Sequence, residues 1–319
     1  MTSLSCRVAL LATAAICLSA CGGGGGSASG IASTPPPPPP TPPPPPTMAS
    51  VTIFQNPTPG TYASVGVASA SSLVGADDQL TTLSSSDSDQ VHIRYNAGGY
   101  YEIEMPDAAW DRLVHYKGLA NPTSDNNYFQ PASVPQNKGY LITSISREKG
   151  YSYSEMGAWG TDLTTLAPFG YVAFGSATPA GSVPVAGSAS YSGIIAGTAD
   201  IMQPDYLYGG YFPIGVGGSV LLNFDFAAGT LAGSMSLKVN GGMNPIDVGT
   251  FTFTDTVFSA GSPTYSGKFD SAVSGTNYFL GRFTGPTAQE TIGAWALPFV
   301  FSEDGQTHQA IGAWIAKKP

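Results

Sequence analysis

The sequence predicts an all-β protein in which a β-rich N-terminal module of mixed character precedes an antiparallel, eight-stranded soluble β-barrel at the C-terminus. Composition is the first reason: 10% of the 319 residues are charged, 11% are aromatic and 40 are glycine, which is typical of β-rich proteins outside the cytosol. Apolar and polar residues also alternate along much of the chain beyond residue 150, as they do in half-buried strands. Finally, Gly-Ala-Trp occurs three times, ending at Trp159, Trp295 and Trp314. We interpret these repeats as strands of one closed sheet, in which glycine leaves room for a neighbouring ring.

Residues 1–21 have the features of an export signal. Arg7 precedes the apolar run 8–18, which is too short to span a bilayer. The run leads into Leu-Ser-Ala-Cys at Cys21, which resembles the lipobox of bacterial lipoproteins. The resemblance implies that Cys21 is acylated and becomes the mature N-terminus, with the lipid bilayer as its partner. Each buried methylene would contribute about 0.8 kcal/mol to the anchoring. The alternative is an ordinary signal peptide in which Cys21 has no special role.

Residues 22–47 are predicted to be a disordered tether. Five glycines come first, and two proline blocks follow at 35–40 and 42–46. Polyproline extends by about 3.1 Å per residue, so the two blocks reach roughly 30–35 Å. Gly22, rather than an Asp, follows the cysteine, and by resemblance to enterobacterial sorting this favours the outer membrane. The alternative for the proline blocks is a ligand for a proline-recognising domain.

Residues 48–150 are expected to form a first, less regular β-rich module. Residues 91–95 and 99–105 alternate as two strands around a turn, and 140–145 is a further strand candidate. A short helix is expected to begin at Trp110, shortly after a proline.

Residues 151–319 are expected to form the barrel. Period-two alternation and turn residues predict its strands at 153–159, 170–174, 187–197, 220–226, 231–239, 250–254, 265–270, 277–283, 291–295 and 310–314. We count these ten segments as about eight strands with short loops, which suits a small closed barrel whose interior is filled by side chains. A membrane-spanning barrel is disfavoured, because the polar faces of these strands carry Asn, Asp, Lys and Thr.

The last forty residues carry the motifs that identify a family resemblance. Gly281-Arg282-Phe283-Thr284-Gly285-Pro286 leads through Glu290 into Gly293, and Ile311-Gly312-Ala313-Trp314 is followed by two lysines. Together with 183–193 and Gly267-Lys268-Phe269, these runs resemble the barrel domain of transferrin-binding protein B-like surface lipoproteins. The motif residues are expected to be structural: Gly281, Phe283, Gly285, Pro286, Glu290, Gly293, Gly312 and Trp314. Glu290 is expected to accept bonds from backbone amides of the turn before the closing strand, and the Trp rings are expected to pack in the core or rim.

The resemblance implies a lipid-anchored binding protein of the outer membrane, facing the cell surface. It would capture a host or environmental ligand, either a protein or a nutrient, without enzymatic chemistry or a cofactor. A TonB-dependent transporter and a surface translocon are the further partners that the resemblance implies. The chain has room for one lobe of the two in transferrin-binding protein B, so transferrin specificity is not carried over. The alternative is an adhesin-like or structural lipoprotein without a small ligand, and a surface hydrolase ranks third.

Catalytic and metal-binding signals are sparse. The chain lacks a Gly-x-Ser-x-Gly elbow, a His-Glu-x-x-His motif, a Walker A loop and a Rossmann fingerprint. The net charge of −9 argues against nucleic acid as a partner. A few side chains could ligate haem, a transition metal or Ca²⁺, but we favour strand, turn and solvated-loop roles for them: His92, His115, His308, Tyr100, Tyr101, Asp87 and Asp89.

Overall fold

The structure, a computed structural model, describes residues 60–69, 83–86, 92–95, 100–104, 114–119, 127–131, 140–143, 150–160, 169–204, 211–240 and 244–319. The predicted signal peptide, Cys21 and the tether lie outside these residues, as do Asp87, Asp89 and the helix expected at Trp110. Strands alone make up the regular structure of the described residues, so the all-β prediction is confirmed there. None of these residues belongs to a helix long and apolar enough to cross a membrane.

The first nine strands form one antiparallel sheet in the order β2-β1-β3-β4-β5-β6-β7-β8-β9, in which β1 also pairs with β9. The predicted hairpin is confirmed, since His92 pairs with Glu104 and Tyr95 with Tyr101. The strands are β1 (Gly60–Ser69), β2 (Leu83–Ser86), β3 (His92–Tyr95), β4 (Tyr100–Glu104), β5 (Val114–Leu119), β6 (Asn127–Pro131), β7 (Tyr140–Thr143), β8 (Ser154–Gly160) and β9 (Phe169–Gly175).

The last eight strands form a closed antiparallel barrel in sequence order, in which β10 pairs with β17. The eight-stranded barrel predicted from the sequence is thereby confirmed. Its strands are β10 (Ser188–Pro204), β11 (Tyr211–Asp225), β12 (Thr230–Val239), β13 (Ile246–Val257), β14 (Thr264–Phe269), β15 (Tyr278–Thr284), β16 (Glu290–Val300) and β17 (Thr307–Lys317).

The start of the barrel differs from the expectation. We expected it at residue 151, but the first barrel strand begins at Ser188. β8 and β9 pair with each other as predicted, but their other neighbours are β7 and β1 of the nine-stranded sheet. The repeat that ends at Trp159 therefore does not share a sheet with those that end at Trp295 and Trp314. Alternation identifies a strand, but it does not identify the strand's hydrogen-bonding partner.

The barrel interior is filled by side chains, with aromatic rings at its centre. Phe224 and Phe283 lie 4.8 Å apart between ring centroids, and Phe253 and Phe279 lie 4.4 Å apart. A closed barrel of about eight strands has an interior just wide enough to be filled by side chains. The largest fully buried side chains of the interior are Tyr191, Phe224, Phe226, Phe279, Phe283, Trp295, Phe299 and Trp314.

A second apolar core lies between the barrel wall and the nine-stranded sheet. β16 is buried along both faces up to Phe299, because Gly293 and Trp295 point into the barrel whereas Ala294 points into this second core. Alanine on the outer face lets the two sheets approach closely. The core consists of Tyr151, Met156, Ala173, Ile292, Ala294, Ala296, Ile311, Ala313 and Ile315.

Candidate functional site

The family-motif segment 281–290 forms the junction at which the barrel meets the start of β8. Glu290 is 4% exposed and accepts the backbone N–H of Ser152 at 2.6 Å through Oε1 and that of Tyr153 at 3.0 Å through Oε2. The donors therefore lie more than 130 residues away along the chain, and not in the turn before the closing strand, where we expected them. One buried carboxylate thus ties the segment before β8 to the first residue of β16.

Burial and hydrogen bonding act in opposite directions on the pKa of Glu290. Burial raises the pKa of Glu290, and the bonds from Ser152 and Tyr153 and the charge of Lys317 partly offset this. Lys317 pairs with Glu290 across β16 and β17 and donates from Nζ to the carbonyl of Gly150 at 3.1 Å. Its ammonium also lies 5.2 Å from the ring centroid of Tyr151, within cation–π range.

The turn between β15 and β16 is fixed by bonds to the segment that precedes the barrel. Gly285 has a φ of +83°, a left-handed conformation that glycine adopts without strain. Its carbonyl accepts the hydroxyl of Thr178 at 2.8 Å, and its N–H donates to the carbonyl of Ser176. The Tyr191 hydroxyl donates to the carbonyl of Ala288 at 2.6 Å. This geometry supports a structural role for the turn rather than contact with a ligand.

The remaining motif residues lie in the wall and interior of the barrel. The indole of Trp314 lies over Gly293, the indole of Trp295 over Gly312, and the ring of Tyr265 over Gly281. Phe283 is fully buried, whereas Pro286 is half-buried in the turn. These contacts give the glycines a packing function.

The histidines and tyrosines considered as ligands are divided between the two sheets. Tyr100, Tyr101 and His92 lie in β3 and β4, and His115 lies in β5, whereas His308 lies in β17 of the barrel. Both ring nitrogens of His308 face carboxylates, Asp200 and Asp304, at 2.9 Å. In the described parts of the chain, no group of three His, Cys, Asp or Glu side chains is arranged to hold a metal ion.

One groove on the barrel wall is large enough to take a side chain. It has a volume of about 230 Å³, below the ~300–1,000 Å³ of typical small-molecule sites. It lies beside an irregularity in β13, where the register with β14 shifts between Thr254 and Val257 and Asp255 has a φ of +48°. Val257 is 65% exposed at its rim. Its described lining is uncharged and mixes apolar groups with hydroxyls, among them Phe258, Ser259, Ser266 and Leu280.

Sequence reasoning missed three features of these sites. The alternation of β13 gave no sign of the bulge at Asp255. The Asp200–His308 contact joins residues 108 positions apart, so the sequence carried no signal for it. Asp304 stands four residues before His308, and a search for acid–histidine pairs at short spacing would have found it.

A scan against protein-family models finds no match, and a search of curated proteins finds none either. Solved structures of transferrin binding protein B are similar. A double mutant from Haemophilus parasuis is 13% identical with a TM-score of 0.44, covering 80% of this chain and 44% of that one. The protein from serogroup B Neisseria meningitidis is 15% identical with a TM-score of 0.37, covering 72% of this chain and 52% of that one. A structure called simply a surface lipoprotein is 13% identical with a TM-score of 0.40, covering 80% of this chain and 99% of that one.

The chain thus spans about half the length of these two transferrin binding protein B chains. Both are named transferrin binding protein B, the protein whose family the sequence motifs resemble. The fold described above rests on the strand pairings of the chain itself.

Proposed function

We propose that the protein is a lipid-anchored binding protein of the bacterial outer membrane, displayed on the cell surface and without enzymatic activity. The observation that carries this proposal is the pairing of a lipobox-like Cys21 and a Gly/Pro-rich tether with a filled barrel joined to a second sheet. An anchor and a spacer lift a domain away from a membrane. Because side chains fill the interior of the barrel β10–β17, we place the ligand outside that interior.

The construction of the described region supports a scaffold for surface recognition. The barrel and the nine-stranded sheet share a buried apolar core. At the same junction, Glu290 accepts the backbone N–H of Ser152 and Lys317 donates to the carbonyl of Gly150. Loops and walls on such a rigid support are where binding residues usually lie. The uncharged groove beside Val257 is of a size to take one side chain of a protein ligand, as an anchoring residue in an interface does.

The proposed ligand is a protein or nutrient of host or environmental origin. We further propose that the protein hands this ligand to a TonB-dependent transporter, and that a surface translocon exports the protein itself to the cell surface. The family resemblance in the sequence motifs motivates all three.

Quantitative ligand capture tests the proposal. The detergent-solubilised full chain is immobilised and exposed to extracellular fluids and to cytosolic extract, and retained molecules are identified and titrated. We expect saturable retention of one extracellular ligand by the folded chain and none by the same chain after thermal unfolding. Equal retention by both forms, or from cytosolic extract alone, would contradict the proposal.

An adhesin-like role is the second candidate, and the serine- and threonine-rich wall of β12 and β13 is compatible with it. It predicts that deletion of the gene changes attachment of cells to surfaces and leaves growth on limiting nutrients unchanged. The ligand-capturing role predicts the reverse pair of results.

A further inference from the structure

The groove on the barrel wall lies beside a β-bulge in β13. The pairing of β13 with β14 leaves two residues, Asp255 and Thr256, opposite the single Gly267, which is the arrangement that defines a bulge. Asp255 has a φ of +48°, in the left-handed region that a non-glycine residue occupies under strain. Strain of this kind is concentrated at sites that hold ligands, so the bulge draws attention to the wall around it.

The bulge exchanges the inward and outward positions of β13. Phe253 faces the barrel interior, and strict alternation would turn Asp255 and Val257 to the same side. Instead, Val257 is 65% exposed, whereas Phe258 is buried with its ring centroid 5.0 Å from that of Phe224. The bulge therefore leaves an apolar side chain on the outer wall, at the rim of the groove.

The groove offers no counter-ion to a charged group. Its described lining is uncharged at neutral pH. The charged side chains of the bulge and of the strand opposite, Asp255 and Lys268, lie 3.1 Å apart and pair with each other, and both are more than half exposed. A charged side chain that entered the groove would lose hydration without gaining a partner of opposite charge. The electrostatics of the groove therefore select an uncharged occupant.

The lining has the chemistry of a site for one residue of a polypeptide. Val257, Phe258 and Leu280 supply apolar surface, and Ser259 and Ser266 supply hydroxyls. A hydroxyl both donates and accepts, so it suits the N–H and C=O groups that flank a side chain in a peptide. The volume of about 230 Å³ is below that of typical small-molecule sites. An apolar side chain seated in such a pocket is the usual anchor of a protein interface.

We propose that the groove is the docking site of a protein ligand, which inserts one uncharged, apolar side chain beside Val257 and bonds through its adjacent backbone to the hydroxyls of Ser259 and Ser266. This inference rests on the proposed function and adds to it the position of the ligand on the barrel and the class of side chain that is recognised. Val257 supplies the apolar contact at the rim, and the bulge at Asp255 holds Val257 outward.

Methyl nuclear magnetic resonance of the detergent-solubilised full chain, with labelled valine, tests the class of side chain. Val257→Ala removes the methyl signals of Val257 and thereby assigns them. We expect N-acetyl-leucine N-methylamide to shift these signals saturably in the millimolar range, as suits a single side chain. The N-methylamides of N-acetyl-glutamate and N-acetyl-lysine should leave them in place. No saturable shift with the leucine compound, or equal shifts with the charged ones, would overturn the proposal.

Capture of the extracellular ligand by variants tests the position of the site. Val257→Asp places a charge at the rim and is expected to weaken capture about tenfold or more. Val300→Asp makes the same change at an exposed valine outside the groove lining and should capture as wild type does. Equal capture by Val257→Asp and wild type would overturn the groove and leave the proposed function standing. A wild-type chain that captures nothing would contradict the proposed function instead, and the methyl shifts would then decide the groove alone.

Discussion

The indole of Trp314 occupies the space that a Cβ atom would need at Gly293, its partner across β16 and β17. Two residues further along β16, the two strands exchange roles. There the indole of Trp295 lies over Gly312 of β17, and a Cβ atom added to Gly312 would lie 2.5 Å from that ring. The two Gly-Ala-Trp repeats of the barrel therefore each supply both a ring and the bare backbone that receives the ring of the other. This reciprocity alternates large and small residues inside the barrel, as a filled interior requires.

Gly293→Ala is expected to destabilise the barrel by about 1–3 kcal/mol, because the added methyl group forces the Trp314 ring out of its position. Chemical denaturation followed by tryptophan fluorescence measures the change. Gly217→Ala is the matched control, since its nearest atoms would lie 3.8 Å from the added Cβ. Equal effects of the two substitutions would show that the ring–glycine contact does not stabilise the fold.

Ala313→Leu tests the core between the barrel and the nine-stranded sheet. Ala313 is fully buried there opposite Ala294, so a larger side chain must push the sheets apart. We expect a loss of about 1–3 kcal/mol in the free energy of unfolding. Ala232→Leu makes the same change on an exposed part of the wall and is expected to stay within about 0.5 kcal/mol of wild type. Faster proteolysis of the junction in Ala313→Leu alone would corroborate the assignment.

Much of the barrel could be predicted from the sequence because its signals are local. The alternation of apolar and polar residues in β12 predicts which face of that strand is buried. Glycine beside tryptophan in the sequence alone indicates that a ring packs against bare backbone. The start of the barrel could not be predicted in this way. β8 has the same Gly-Ala-Trp pattern as β16, yet its partners in the nine-stranded sheet are set by contacts distant in sequence, to β7 and β9.

Glu290→Gln tests the buried carboxylate through its pH dependence. Burial raises the pKa of Glu290 from 4.5, so the folded protein keeps this proton to a higher pH than the unfolded chain does. The wild-type free energy of unfolding should therefore fall, relative to the variant, as pH rises from about 4.5 through the folded-state pKa. Below that range the protonated carboxyl resembles the amide, and the two proteins should differ least. Glu303→Gln removes an exposed carboxylate and should run parallel to wild type, whereas parallel curves for Glu290→Gln would contradict the assignment.

The position of Glu290 also shows where sequence reasoning about the site ends. An acid shortly before a closing strand indicated a carboxylate that accepts backbone amides. Its donors, Ser152 and Tyr153, could not be found because the contact spans more than 130 residues. The Asp200–His308 contact could not be found for the same reason, since Asp200 reaches the ring through the closure of the barrel between β10 and β17.

Labelling of intact bacteria with an antibody against the barrel tests most directly whether the chain is a surface lipoprotein. We expect wild-type cells to be labelled without permeabilisation, and the chain to remain in the membrane fraction with incorporated fatty acid. Cys21→Ser should abolish acylation and surface labelling, whereas Cys17→Ser, in the same predicted signal segment, should leave both intact. Labelling that appears only after the outer membrane is permeabilised, or acylation that persists in Cys21→Ser, would contradict the proposed function.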